Sequence, residues 1–290
     1  MNKPIFTGVC TALVTPFLYD KINFPMVEQL ISRQKKAGIR SIVVAGTTGE
    51  SPTLTDFEKI ELFRRAKAFA GSNCTIIAGT GSNDTVHTVH LSKAAQEAGA
   101  DALLVVSPYY NKATPSGLIS HYLAIANSVD IPIILYNVPS RTGVDMPVSV
   151  YERLSVEKNI VGVKEASSDI TKITKIRRNC HPDFSVWSGN DDQTVPAISL
   201  GAKGVISVLS NVCPEETLVM SESALSGDYH TAAALQCRLS ELIDLMFCEV
   251  NPIPVKAAMQ MIGYDCGPCR LPLSGLTDAS KVKLQKYFGI

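Results

Sequence analysis

"SIVVAGTTGESPTLTDFEKIELFRRAKAFAG", residues 41–71, carries a strand, a loop and a helix in succession. "SIVVAG" is short and apolar at successive positions, as suits a parallel strand buried on both faces. The loop "GTTGES" follows. Thr55 then stands three residues before Glu58, the spacing of a capping box, and Gly71 supplies a helix-ending glycine. One βα unit is therefore legible in a single stretch, and the same plan recurs along the chain.

Eight strand-like runs are present: "GVCTALVTP", "SIVVAG", "TIIAGTG", "ALLVVSP", "PIILYNV", "IVGVKEAS", "FSVWSGN" and "GVISVLSN". Helical segments separate them. "NDTVHTVHLSKAAQEAG" repeats the helix plan and ends at Gly99, and "AGI", "AGA" and "LGA" each punctuate a helix just before a strand. Eight βα units in about 225 residues predict an α/β fold of the (β/α)8 TIM-barrel type. The alternative, a doubly wound open sheet, normally has fewer strands and a Gly-rich first turn; no GxGxxG follows the first strand. After Asn211, "CPEETLVMSESALSG" reads as the eighth barrel helix. "DYHTAAALQCRLSELIDLMFCEV", "NPIPVKAAMQMIG" and "TDASKVKLQKYFG" predict a C-terminal three-helix appendage. The expected division is a catalytic barrel over residues 1–226 and a helical region over 227–290.

Composition narrows the function classes. The chain has 290 residues, 46% hydrophobic and 19% charged, and a formal net charge of +0. With no long basic run, nucleic acid is an unfavoured partner, since phosphate contacts need clustered Lys and Arg. No apolar stretch is long enough to span a bilayer. The N-terminal segment lacks the pattern of a signal peptide, and the eight cysteines are scattered. The expectation is a cytoplasmic protein with reduced thiols. Cys266 and Cys269 have CxxC spacing, but they follow a helix-like segment and lead into a loop. They therefore read as loop cysteines, and no second CxxC completes a zinc site.

In a barrel, chemistry sits at the C-terminal ends of strands. Those ends hold "GTTGES", "SPYYNK", "YNVPSRTG", Lys164 of "IVGVKEAS" and "SGND". Strand alternation puts Gly162, Lys164 and Ala166 on one face, with Val161 and Val163 facing the helices. Small neighbours are expected to leave room for a ligand beside the Lys164 amine. A free lysine has pKa ~10.4, so roughly one in 2,500 is neutral at pH 7, and burial favours the neutral form. A neutral amine forms an imine with a carbonyl compound; the adjacent carbon then loses a proton and becomes a nucleophile. An ordinary ion pair of Lys164 with Glu165 competes with this reading, but neighbours on a strand face opposite ways. Tyr136 shares a face with Ile134 and Val138 and reads either as a proton carrier or as packing. Tyr109 and Tyr110 read equally as an aromatic interface patch. "GTTGES" lacks the lysine of a P-loop, though its backbone N–H groups and hydroxyls suit a carboxylate. His87 and His90 lie three apart with no third ligand evident, so no metal is expected.

Together "GTTGES", "IAGTGSN", "SPYYNK", "ILYNVPSRTG", "VGVKEAS", "SGNDD", "GVISVLSN" and "NPIPVK" resemble the dihydrodipicolinate synthase family of pyruvate-dependent aldolases and lyases. The resemblance covers essentially the whole chain. It implies a Schiff base between Lys164 and pyruvate, with Tyr136 as proton carrier. Thr47 would link Tyr136 to Tyr110, which in the family reaches in from a neighbouring subunit. Thr48 would hold the pyruvate carboxylate and Arg141 that of the second substrate, while Gly189 and Ile206 would line the pocket. The implied reaction condenses pyruvate with L-aspartate 4-semialdehyde to 4-hydroxy-tetrahydrodipicolinate, on the way to diaminopimelate and lysine, with no cofactor. A related sialic-acid or sugar-acid lyase is the alternative, disfavoured by Arg141; a non-catalytic small-acid-binding barrel is a further one. Family members are commonly homotetramers built from tight dimers. Their inhibitory lysine site corresponds here to Ser51, Pro52, Asp56, Lys59, Asn83, His87 and Tyr109. Sensitive members often have an acid where His87 stands, so weak or absent lysine inhibition is expected.

Overall fold

The computed structural model describes residues 3–290. Eight parallel strands close into a barrel: β1 Gly8–Ala12, β2 Ser41–Val44, β3 Thr75–Gly79, β4 Ala102–Val106, β5 Ile133–Asn137, β6 Ile160–Glu165, β7 Ser185–Ser188 and β8 Gly204–Ser207. Each pairs with the next in sequence, and β1 closes on β8 with Gly8 opposite Gly204 and Thr11 opposite Ser207. The expected strand order and barrel class are present. The first strand is shorter than its sequence run suggests, and a small hairpin, Phe17–Leu18 with Lys21–Ile22, follows it.

The helices α1 Phe24–Lys36, α2 Asp56–Ala70, α3 Thr85–Glu97, α4 Pro115–Ala126, α5 Val148–Leu154, α6 Ile170–Asn179, α7 Thr194–Ser199 and α8 Pro214–Ser226 follow the eight strands in turn. The capping box of α2 is complete: Thr55 Oγ1 accepts from Glu58 N–H at 3.2 Å, and Glu58 accepts from Thr55 N–H at 2.9 Å. Between β5 and α5 the chain makes a one-turn helix, Pro139–Thr142, that carries Arg141. Beyond α8 lie α9 Tyr229–Met246, α10 Ile253–Met261 and α11 Asp278–Phe288.

Two apolar layers result. The larger lies between strands and helices, and the smaller fills the barrel interior with Phe6, Cys10, Ile77, Ile134, Trp187 and Ile206 among others. Trp187 is fully buried, stacks on Phe6 at 4.9 Å and donates its indole N–H to Phe6 O. Such large apolar groups each contribute roughly 1.5–3 kcal/mol by leaving water. Gly162 serves this packing. A Cβ there would lie 2.2 Å from Ser185 O and 2.7 Å from the Trp187 ring, so its missing side chain admits Trp187 and β7 rather than a ligand. Val161 also departs from expectation. Pairing slips between Ile133 and Ile134, and Val161 sits at this irregularity, against the interior cluster. Val163 packs in the helix layer as expected.

Candidate active site

Lys164 and Tyr136 are direct cross-strand neighbours on β6 and β5. Both side chains point into the barrel and both residues are buried, at 5% and 6% exposure. The Lys164 amine lies 4.4 Å from the centre of the Tyr136 ring. Among the described residues Lys164 makes no ion pair, so the amine is held by packing alone. Gly189, after β7, is the glycine that clears space beside it. A Cβ there would lie 2.9 Å from Lys164 Cε and 2.6 Å from Ala166 Cβ.

Glu165 does not pair with Lys164. Facing the helices, it accepts from Asn137 Nδ2 at 2.8 Å, Tyr151 OH at 3.0 Å and Ser167 N–H at 2.9 Å, with Lys172 Nζ at 3.8 Å. Asn137 also donates to Asp145, which pairs with Lys172. The network, buried at Asn137 and Glu165, ties β5 to β6 at the residues immediately after Tyr136 and Lys164. Burial and the Glu165 charge push the Tyr151 phenol well above its ordinary pKa, so it stays a donor.

The "GTTGES" loop is fixed from below and from the side. Gly79 allows Ala45 O to approach to 2.2 Å from where a Cβ would stand. Glu50, in left-handed conformation at φ 56°, is buried and accepts from Lys256 Nζ at 2.9 Å and Arg270 N–H at 2.8 Å. Lys256 Nζ also donates to Thr15 O and Pro268 O. Thr48 is buried and accepts from Asn251 Nδ2 at 3.0 Å, while Arg141 reaches Asn251 O at 3.5 Å.

A cavity of about 470 Å³ opens over Tyr136. Thr47, Val138 and Arg141 line it, and it runs outward past Ser51, Pro52, Asp56, Lys59, His87 and Tyr109. Tyr136 and six of the seven positions expected for lysine thus share one space. Asn83 does not line it, nor do Lys164, Thr48, Gly189 or Ile206. His87 is engaged with Asp56 at 2.9 Å. Lys59 has no ion-pair partner among the described residues, and burial lowers its pKa from the ordinary lysine value.

Tyr110 stands apart from the other expected site residues. It is 84% exposed, and its φ of 71° is a costly conformation for an aromatic residue. Within one protomer no hydrogen bond joins Thr47, Tyr136 and Tyr110 among the described residues. No group of three or more His, Cys, Asp or Glu suited to a metal occurs among them. Burial pushes Cys266 up to about 12 and Cys269 up to about 11, which keeps both as thiols.

Sequence reasoning missed three groups. Asp191 of "SGNDD" is fully buried, accepts from Val208 and Leu209 N–H at 2.9 and 3.0 Å, and so pins the end of β8. Asn251 and Lys256 both lie in "NPIPVK", a segment read as family signature but given no role. Nothing in local spacing places that segment against a loop two hundred residues earlier.

The Dihydrodipicolinate synthetase family model matches residues 5–289. A 4-hydroxy-tetrahydrodipicolinate synthase from Acetivibrio thermocellus is 46% identical over 278 residues, covering 96% of this chain and 94% of its own. The crystal structure of DHDPS from Cyanidioschyzon merolae with lysine bound superimposes with a TM-score of 0.95 at 41% identity, covering 98% of this chain and 97% of the other. That of the chloride-inhibited dihydrodipicolinate synthase from Acinetobacter baumannii complexed with pyruvate gives 0.95 at 38% identity, with 98% of each chain covered.

Proposed function

The chain belongs to the dihydrodipicolinate synthetase family and is a lyase with 4-hydroxy-tetrahydrodipicolinate synthase activity; within that activity we propose that Lys164 is the nucleophile and Tyr136 its proton carrier. The observation that carries the assignment is the unpaired, buried Lys164 amine, 4.4 Å from the Tyr136 ring and beside the space left by Gly189.

The substrates are pyruvate and L-aspartate 4-semialdehyde. The Lys164 amine attacks the pyruvate ketone, water leaves, and an imine forms. The cationic imine draws electrons from the methyl carbon, which loses a proton to give an enamine. The enamine carbon attacks the aldehyde of the second substrate. That substrate's own amine then adds to the imine carbon, closes the ring and releases Lys164. Each step moves a proton, and the Tyr136 phenol, whose ring centre lies 4.4 Å from the amine, is the group assigned to carry it. Thr48 holds the pyruvate carboxylate, with Gly189 and Ile206 closing the pocket. Arg141, at the cavity wall, takes the carboxylate of the semialdehyde through its planar fork.

Tyr110 completes the relay through Thr47 from a neighbouring subunit of a homotetramer. Its exposure and its left-handed backbone support this reading. Sedimentation at the mass of a single 31.2 kDa chain would refute it. A cytoplasmic setting fits the eight unpaired cysteines, and no described helix is long and apolar enough to cross a membrane. Lysine is a weak inhibitor or none. Asp56 is already engaged with His87, and Lys59 and His87 offer a cationic ligand no free carboxylate. Half-inhibition by micromolar lysine in a steady-state assay would contradict this.

The deciding experiment for Lys164 is borohydride reduction in the presence of pyruvate, followed by mass spectrometry. One pyruvate-derived adduct is expected on Lys164, and Lys164→Ala should lose both the adduct and at least about 10³-fold in kcat in a coupled assay. An adduct at another lysine, or none, would overturn the assignment.

A further inference from the structure

Asn251 comes from the C-terminal region, in the turn that precedes α10, yet it touches both residues assigned to the substrate carboxylates. Its Nδ2 donates to Thr48 Oγ1 at 3.0 Å, and its main-chain carbonyl lies 3.5 Å from Arg141 Nη2. The residue is 5% exposed, and its Oδ1 is buried with no hydrogen-bond partner among the described residues. We propose that Asn251 is a positioning residue that aims the Thr48 hydroxyl at the pyruvate carboxylate and sets Arg141 for the second carboxylate. The inference rests on the roles given above to Thr48 and Arg141.

The chemistry of a hydroxyl carries the first half. Thr48 has one O–H to give and two lone pairs to accept with. Asn251 Nδ2–H occupies a lone pair. Thr48 Oγ1 has no other hydrogen-bond partner among the described residues, so its proton is left for an incoming acceptor. A carboxylate is acceptor-only and fits that proton. Without the amide, the hydroxyl would be free to rotate and spend its proton elsewhere. The Asn251 carbonyl occupies one edge of the guanidinium, which leaves its other N–H groups for a ligand.

The unpartnered Oδ1 argues against a purely structural role. A buried acceptor left without a donor is destabilising, and an alanine would remove it. Retaining an amide here makes sense where its N–H₂ is needed for Thr48.

Three variants test this: Asn251→Ala, Asn251→Asp, and Asn251→Ala combined with Thr48→Val. The readouts are the pyruvate concentration that half-saturates borohydride trapping on Lys164, and KM and kcat for each substrate. Asn251→Ala is expected to raise the half-saturating pyruvate and the semialdehyde KM by about ten-fold, with kcat changed less. Asn251→Asp keeps the shape but accepts the Thr48 proton, so it should be worse than alanine for pyruvate. A packing role predicts the reverse order. In the Thr48→Val background, adding Asn251→Ala should leave pyruvate half-saturation nearly unchanged. Unchanged constants in Asn251→Ala, or aspartate milder than alanine, would overturn the inference while wild-type trapping on Lys164 still stands. Absent wild-type trapping would instead remove the reading on which it rests.

Discussion

Two glycines, one two residues before Lys164 and one against its stem, do different work. Gly162 admits the β7 backbone and Trp187, whereas Gly189 leaves room for the lysine stem itself. Gly162→Ala would drive a methyl against Ser185 O, a backbone atom with nowhere to go. We expect it to lower stability by about 3 kcal/mol or more. Gly189→Ala would meet Ala166 Cβ and Lys164 Cε, and the flexible lysine stem is the easier of the two to displace. It should cost less stability but slow imine trapping roughly 10- to 100-fold, because small misplacements of reacting groups are expensive. Denaturant melts and borohydride trapping on both variants check this. Unaltered trapping in Gly189→Ala would show that the space is not needed. Lys164 and Glu165 do not pair. Adjacent in sequence, they face opposite sides of the wall, so the carboxylate neutralises nothing in the barrel and instead meets Asn137, Tyr151 and Lys172.

Helix against helix, the informative contact is between α3 and α4. His121 on α4 is 4% exposed; its Nδ1 meets Thr85 Oγ1 at 2.9 Å and its Nε2 has no partner among the described residues. Burial lowers its pKa from 6.5 to about 4. The folded state therefore holds the neutral ring while the unfolded chain begins to bind a proton near pH 6.5. Stability from this residue is present above 6.5 and is lost as pH falls toward about 4. The full loss is ~3 kcal/mol, the difference between a folded pKa of about 4 and an unfolded one of 6.5 converted to free energy. His121→Leu should flatten the pH dependence of the urea-unfolding free energy by that amount over the same interval. Parallel curves for the two proteins would disprove it. On the neighbouring strands, the Asn137–Glu165 hydrogen bond holds the β5–β6 register where Tyr136 and Lys164 stand side by side.

Across the whole molecule, the C-terminal region is part of the site's foundation. Lys256 on α10 and Glu50 after β2 form an ion pair with side chains 3% and 0% exposed. Lys256 also bonds two carbonyls, and Arg270 from the following loop donates to the second Glu50 oxygen. A buried pair of this kind adds little over an apolar substitute, but breaking one side leaves an uncompensated charge. Lys256→Met should therefore destabilise by about 3–5 kcal/mol, and Lys256→Met with Glu50→Gln should recover part of it. Thermal or urea unfolding of the single and double variants decides the matter; a single variant as stable as wild type would mean that the pair is not structural. Activity should fall with the single variant as well, since Thr47 and Thr48 sit on the loop that Glu50 anchors.

Much of this was open to reading from the chain alone, and the physical reason is locality. The period of two in strands, the period of 3.6 in helices, the Thr55–Glu58 cap and the terminal glycines are set by neighbours a few residues apart. They determined eight βα units, hence a barrel, hence strand ends as the place for chemistry. Strand alternation set Lys164 and Glu165 on opposite faces, and the resemblance carried by the motifs proposed roles for Tyr136, Thr47, Thr48 and Arg141. The tertiary structure decided what depends on distant segments meeting. Gly162 looked like room for a ligand until Trp187, twenty-five residues on, filled it. The tie of Asn251 to Thr48 and Arg141, the Glu50–Lys256 pair and the hold of Asp191 on β8 join residues whose spacing in the chain carries no signal. Such contacts exist only once barrel closure has fixed which loops face one another.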